Sequence, residues 1–350
     1  TGLFGDANGG GLFGAQVKRA GYDHIVITGV AEAPSVLVIG PDPKKCRLES
    51  AEAYWGLDTV ETDARLKKKH KGAMVACIGP AGEHRVAFAN IQHGGIANSW
   101  SRTGLGAIMG SKNLKAIVVK KGKGKLPVAA TDEFTALSEQ VKTWATDTIG
   151  GKIFSRWGTI AQINEFAGLG LLYANNLRDR ISVRDSAKLD ARTFVDLVDH
   201  KDHGCFKCPL RCEKSYRIKN GPYEGEEGKK YELGYALPLG FHIGVTDLDA
   251  VLHLNNLCCR LGMDVIEFGS VAALAIDLGT KGILPPEAQE GLELDWGAVA
   301  AVEALAHQVS KAEGLGELFR DGVKPAADRI GEGAAQYTIH IKGMTEPAHS

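Results

Sequence analysis

The sequence predicts an α+β protein: a β-rich domain over residues 1–125, then a mainly α-helical domain over residues 126–350. Up to Val119 the apolar residues come in short runs closed by Gly, Pro or charge, the pattern of strands. Beyond Thr131 they recur at helical spacing instead. Between the two lies Lys120-Lys-Gly-Lys-Gly-Lys-Leu-Pro127, a basic, glycine-containing stretch that reads as a solvated connector and sets the boundary.

In the first part, strands are expected at His24–Thr28, Ser35–Ile39, Ala73–Ile78, Arg85–Ala89 and Lys115–Val119, with helical spacing over Thr59–Lys68. In the second part, Thr131 is read as an N-cap with Asp132 and Glu133 in the first turn, and Phe134, Leu137 and Val141 form an apolar stripe. Thr246, with Asp249 three residues on, is a second N-cap candidate; Leu248, Val251, Leu252 and Leu261 mark one buried face. Helices are also expected over Val265–Leu278 and over Ala298–Val309, the latter closed by Gly314.

Composition narrows the function classes. A chain of 350 residues suggests two to three domains, and 44% hydrophobic with 24% charged residues is a globular profile. A net charge of −1 gives no electrostatic case for nucleic acid or an anionic membrane. No apolar run approaches the roughly 20 residues of a membrane-spanning helix. Cys46, Cys77, Cys258 and Cys259 show no disulfide framework, as expected for a reducing cytoplasm. The 44 glycines cluster in loops, where backbone can approach a phosphate or a large cofactor. The start at Thr1-Gly-Leu has no signal-peptide pattern, and both ends read as cut from something longer.

The densest chemistry is Cys205-Phe-Lys-Cys208-Pro-Leu-Arg-Cys212. Thiolates at this spacing on a tight turn, stiffened by Pro209, can serve one soft metal centre. Three sulfurs leave one position to be filled from elsewhere. An iron–sulfur cluster takes four thiolates, whereas a structural zinc accepts three Cys and one His. His203, two residues upstream, leaves both possibilities open.

Three further segments accompany this turn: Asp6-Ala-Asn8-Gly-Gly10-Gly-Leu-Phe-Gly14 with Lys18-Arg-Ala-Gly-Tyr-Asp23, Cys77-Ile-Gly-Pro-Ala-Gly-Glu83, and Ser101-Arg-Thr-Gly-Leu-Gly-Ala-Ile-Met-Gly-Ser-Lys-Asn-Leu-Lys-Ala116. Neither the first nor the last has Rossmann or P-loop spacing. In this order the four segments resemble the tungsten-containing aldehyde ferredoxin oxidoreductase family, over residues 1 to about 345. The resemblance covers the middle of a family member; the start and the last third would lie outside it.

The resemblance implies a β-rich pterin-binding domain followed by a helical domain. It implies tungsten (or molybdenum) held by two pterins, a 4Fe-4S cluster, and magnesium between the pterin phosphates. Carried over by position, Asn8 and Ser99 supply the magnesium carbonyls, Gly10 lies against pterin, and Asn98 and Ser101 stand beside Ser99. The loop Gly94–Ser101 is one residue longer than the family form and lacks its phosphate-binding Arg, for which Arg102 is the substitute. Cys205, Cys208 and Cys212 match three cluster ligands. In the pterin motif Cys259-Arg-Leu-Gly262-Met263-Asp264, Cys259 stands where the family has Asp, so Asp264 carries the main contact. Glu232 matches a metal-proximal carboxylate, a general acid or base. His253 and Glu303 match, with residue types exchanged, positions that hold an ion at a dimer axis, set against a reading as exposed helix residues.

The implied reaction oxidises an aldehyde to a carboxylic acid and passes electrons to ferredoxin or a partner electron-transfer subunit. The alternatives are a low-potential reductase, such as one reducing an aromatic thioester ring, an inactive cofactor-binding fragment, and a zinc-stabilised domain.

Overall fold

A computed structural model of the chain describes residues 4–346 except Ala97, Leu126, Pro285, Glu290 and Glu332. The two ends read as cut, Thr1–Leu3 and Pro347–Ser350, lie outside the described residues. The protein has the expected α+β organisation. Its first part is built on a six-stranded sheet in the order β2-β1-β6-β3-β4-β5. The strands are β1 (Ser35–Ile39), β2 (Arg47–Ser50), β3 (Met74–Cys77), β4 (Ile91–His93), β5 (Asn98–Trp100) and β6 (Leu114–Val119). β1 and β6 run parallel, pairing Val36 with Ala116 and Val38 with Val118; the other neighbours are antiparallel.

Alternation along these strands sends side chains to both faces. Val36, Val38, Val75 and Val118 pack with Leu66 of α2 (Thr59–Lys69) on one face. Ile39, Ala76 and Val119 pack with Phe13 of α1 (Phe13–Arg19) on the other. Helix α2 starts where the Asp58 carboxylate accepts the Glu61 amide at 2.8 Å, and it ends with three lysines in its last turn. Full burial of Leu66 stabilises this packing by about 1.5–3 kcal/mol.

Two expected strands do not form. His24–Thr28 finds no partner, with Val26 84% exposed. Arg85–Ala89 opens with a left-handed Arg85 and makes only one bridge, from Ala89 to Met263. Helices α3 (Pro80–Glu83) and α4 (Leu105–Ser111) cross at Gly82 and Gly110, where a Cβ on Gly110 would overlap the Gly82 carbonyl. The glycines of these two segments therefore bring backbone against backbone.

Residues 131–346 are mainly helical. Helix α5 (Thr131–Asp147) has Ala130 rather than Thr131 at its N-cap. The helix Leu248–Leu261 starts after Asp247, not Thr246, and buries the expected Leu248, Val251, Leu252 and Leu261. Left-handed Gly262 ends it, and Asp264 caps the next helix, Val265–Thr280. The helix Val299–Lys311 ends at left-handed Ala312, while Gly314 precedes the following helix.

This part also contains strands the sequence pattern does not announce. A small ribbon pairs β7 (Tyr173–Ala174) with β8 (Asp179–Arg180). A three-stranded sheet joins β9 (Val198–His203), β10 (Glu213–Ile218) and β11 (Glu227–Lys229). β9 escapes notice because five of its six residues are polar or charged, leaving no apolar alternation. The β9–β10 loop is the cysteine turn.

Candidate cofactor site

The cysteine turn is fastened directly to the glycine-rich loop at the start of the chain. The Phe206 amide donates to the Gly11 carbonyl at 3.0 Å, and a Cβ on Gly10 would sit 2.8 Å from Cys205 Sγ. Gly10 is thus required by the sulfur behind it, and Gly11 adopts φ +77°, a left-handed conformation. The loop rests on the β4–β5 hairpin: Gly9 approaches Trp100 and His93, and Gly11 approaches Asn98. Register pairs His93 with Asn98 and Gln92 with Ser99. The predicted residues Asn8, Gly10, Asn98, Ser99 and Ser101 therefore share one locality, with Ser99 Oγ and Ser101 Oγ 2.5 Å apart.

Buried polar atoms without partners mark this wall. His93 is 1% exposed, yet neither ring nitrogen is hydrogen-bonded, and burial holds its pKa down to about 4. Asn98 Oδ1 is likewise buried and unpaired. Such groups are costly unless a ligand or water completes them. A cavity of about 120 Å³ lies here, lined by Gly11, His93, Asn98 and Lys229 among others. Across Gly94 and Lys229 it borders a cleft of about 680 Å³ between α2 and the β9–β11 sheet. Lys201, Arg217 and Lys229 line that cleft with Asp199 and Glu227, while Lys67 and Arg260, also in its lining, are paired with Asp63 and Asp58. Its volume is within the range of cofactor pockets, and its cations suit phosphate. The unpaired atoms of His93 and Asn98 and the unpaired cations Lys201, Arg217 and Lys229 are compatible with an anionic pterin cofactor.

At the turn itself, the Cys208 amide donates to the Cys205 carbonyl at 3.0 Å, and Lys207 and Arg211 adopt left-handed backbone. His203 Nε2 lies 2.8 Å from Ser215 Oγ, within hydrogen-bond distance. Among the described residues no three His, Cys, Asp or Glu side chains meet on one ion position. Burial raises the Cys212 pKa, and the Glu232 carboxylate and the other two cysteines push it further. The Glu232 Oε2 accepts a hydrogen bond from Thr159 Oγ1, which also accepts the Leu233 amide at 3.0 Å.

Arg102 is held elsewhere. Its Nε lies 3.2 Å from Asp264 Oδ2, and its Nη2 lies 3.4 Å from Glu267 Oε2 and donates to the Thr345 carbonyl at 2.9 Å. Asp264 is buried and caps its helix through the Ile266 amide; burial raises its pKa to about 7, with Arg102 opposing. Met263 is fully buried in the main core. Cys259 is buried too, its thiol pushed up to about 12 by burial. Arg102 and Asp264 thus face one another. His253 and Glu303 do come together: His253 Nε2 is 3.6 Å from Glu303 Oε2, while His253 Nδ1 is 2.9 Å from Glu226 Oε2. Tyr223 stacks on the imidazole at 4.2 Å.

Against this geometry, the family description "Aldehyde ferredoxin oxidoreductase, N-terminal domain" matches residues 1–121, and "Aldehyde ferredoxin oxidoreductase, domains 2 & 3" matches residues 135–350. The chain belongs to the aldehyde ferredoxin oxidoreductase family. Similar proteins include the tungsten-containing aldehyde ferredoxin oxidoreductase of Pyrococcus furiosus, 33% identical over all of this chain and 56% of the relative. The aliphatic sulfonate oxidoreductase, WOR-like subunit, of the same organism is 30% identical over 96% of this chain and 56% of its own length. Among solved structures, the active site complex BamBC of benzoyl coenzyme A reductase with 1,5-dienoyl-CoA superposes with a TM-score of 0.84. It is 26% identical, over 98% of this chain and 53% of that one. The chain spans just over half the length of these relatives. Within the aldehyde ferredoxin oxidoreductase frame, Lys230 is a residue the motifs did not flag. Its ammonium opposes the burial that raises the Cys212 and Cys259 thiols and adds to the burial that lowers His93. The sole signal in the sequence is its place two residues before Glu232.

Proposed function

We propose that this chain is the cofactor-holding portion of an oxidoreductase that oxidises an aldehyde to a carboxylic acid. A 4Fe-4S cluster held by Cys205, Cys208 and Cys212 would supply the electron path to ferredoxin or a partner subunit. The observation that carries this reading is the joint between Gly10–Gly11 and Cys205–Phe206, which holds the cysteine turn against the glycine-rich loop. Asn8 and Ser99 offer backbone carbonyls to magnesium, and the cations of the cleft take the phosphates. The tungsten (or molybdenum) pterin, when bound, supplies the oxygen-atom and two-electron chemistry. Glu232 would hold the transferred proton at Oε1, its Oε2 fixed by the Thr159 hydroxyl. Seven free thiols suit a reducing cytoplasm, and no helix among the described residues is long and apolar enough to cross a membrane.

Metal analysis of the intact gene product, with an aldehyde and viologen assay, tests this. Iron together with tungsten or molybdenum, and aldehyde-dependent dye reduction, are expected; a colourless zinc protein would overturn it. The superposition on a benzoyl coenzyme A reductase complex favours a second reading, low-potential reduction of an aromatic thioester. Turnover of a dienoyl-CoA but of no aldehyde would select it.

A further inference from the structure

We infer that the basic face beside the cysteine turn is the docking surface for a small acidic electron-carrier protein. This rests on the assignment of the three cysteines to a cluster. The sequence presents Lys120–Pro127 as a mere connector, but the fold lays its residues Gly122 and Gly124 against α1. The Gly124 amide donates to the Arg19 carbonyl at 3.1 Å, and Gly122 is pressed so close to that carbonyl that a Cβ would overlap it. Arg19 in turn reaches the cysteine turn, its guanidinium 5.0 Å from the centre of the Phe206 ring, with Lys207 Nζ at 6.0 Å. Arg19, Lys121, Lys123, Lys125, Lys207 and Arg211 are all exposed.

None of these six forms an ion pair with an acid among the described residues, whereas neighbouring Lys18 is paired with Asp23 and Asp202 with Lys214. A chain of net charge −1 thus keeps a group of uncompensated cations around half-buried thiols. Unpaired charge of one sign steers an oppositely charged partner and fixes its approach, here onto the turn that holds the cluster. The occupant that fits is an acidic redox protein.

The test uses the intact gene product with its cofactors and an acidic ferredoxin as probe. Binding is measured by titration calorimetry at about 0.01 M and about 1 M salt, where charges act over about 30 Å and about 3 Å. The variant K121E/K123E/K125E should weaken binding by about tenfold or more at low salt, and the difference should vanish at high salt. K68E/K311E/K342E, equal in charge change but outside the patch, should bind as the parent does. Equal weakening by both variants, or by neither, overturns the proposal, as does sedimentation showing that the patch holds a second copy of the chain. Iron content on the same samples separates the two readings. Iron-loaded protein indifferent to the reversal sinks the surface alone; iron-free protein that still binds through it sinks the cluster assignment.

Discussion

Lys115 is the bulkiest fully buried side chain among the described residues, and its ammonium meets Glu83 and the Leu57 carbonyl. Glu83 Oε2 also accepts the Gly56 amide at 2.8 Å, so both charges are compensated. Removing one partner strands the other: E83A should cost about 3–5 kcal/mol in urea denaturation, and an added K115M should return part of it. Asp264 gives a pH dependence. Its folded pKa of about 7 lies above the unfolded value near 3.8, so the stability it contributes is complete below that value. The contribution is lost as pH rises to about 7 and is flat beyond. Denaturation of D264N should lack this fall between pH 4 and 7; an identical slope in both proteins would contradict the burial argument. For Glu232, E232Q should keep the iron content and lower kcat by about 10²- to 10⁴-fold, the usual range for a positioned acid or base.

At the scale of elements, the α3–α4 crossing depends on the absence of side chains at Gly82 and Gly110. G110A should destabilise by about 1–3 kcal/mol or prevent folding, read as a fall in melting temperature. Helix α5 shows the opposite relation between pattern and packing. Its periodicity is correct, yet Phe134, Leu137, Val141 and Trp144 are 54–71% exposed. Such a stripe invites association. L137Q/W144Q should therefore reduce self-association in sedimentation velocity without lowering the melting temperature.

At the scale of the whole molecule, the halves are joined by the backbone ladder linking residues 88–90 to 262–264 and by the loop–turn joint at Gly11–Phe206. Replacing Cys205 by Ala in the intact gene product should lower bound iron and bleach the visible cluster absorbance while the fold persists by circular dichroism. The sequence by itself determined the α+β organisation, β1, α2, the long buried helices and the cysteine turn, because periodicity and residue chemistry are local properties. It also carried the Gly-rich loop to the site's door, through the order of its motifs. Only the tertiary structure decided that Arg102 pairs with Asp264 and Glu267 and that His253 meets Glu226 as well as Glu303. Those pairings join residues far apart in the chain, and no spacing rule encodes which distant charge a side chain will meet. The polar β9 strand was hidden for a related reason: it is held by the ladder to β10, whose partner groups belong to the backbone and leave no trace in residue type.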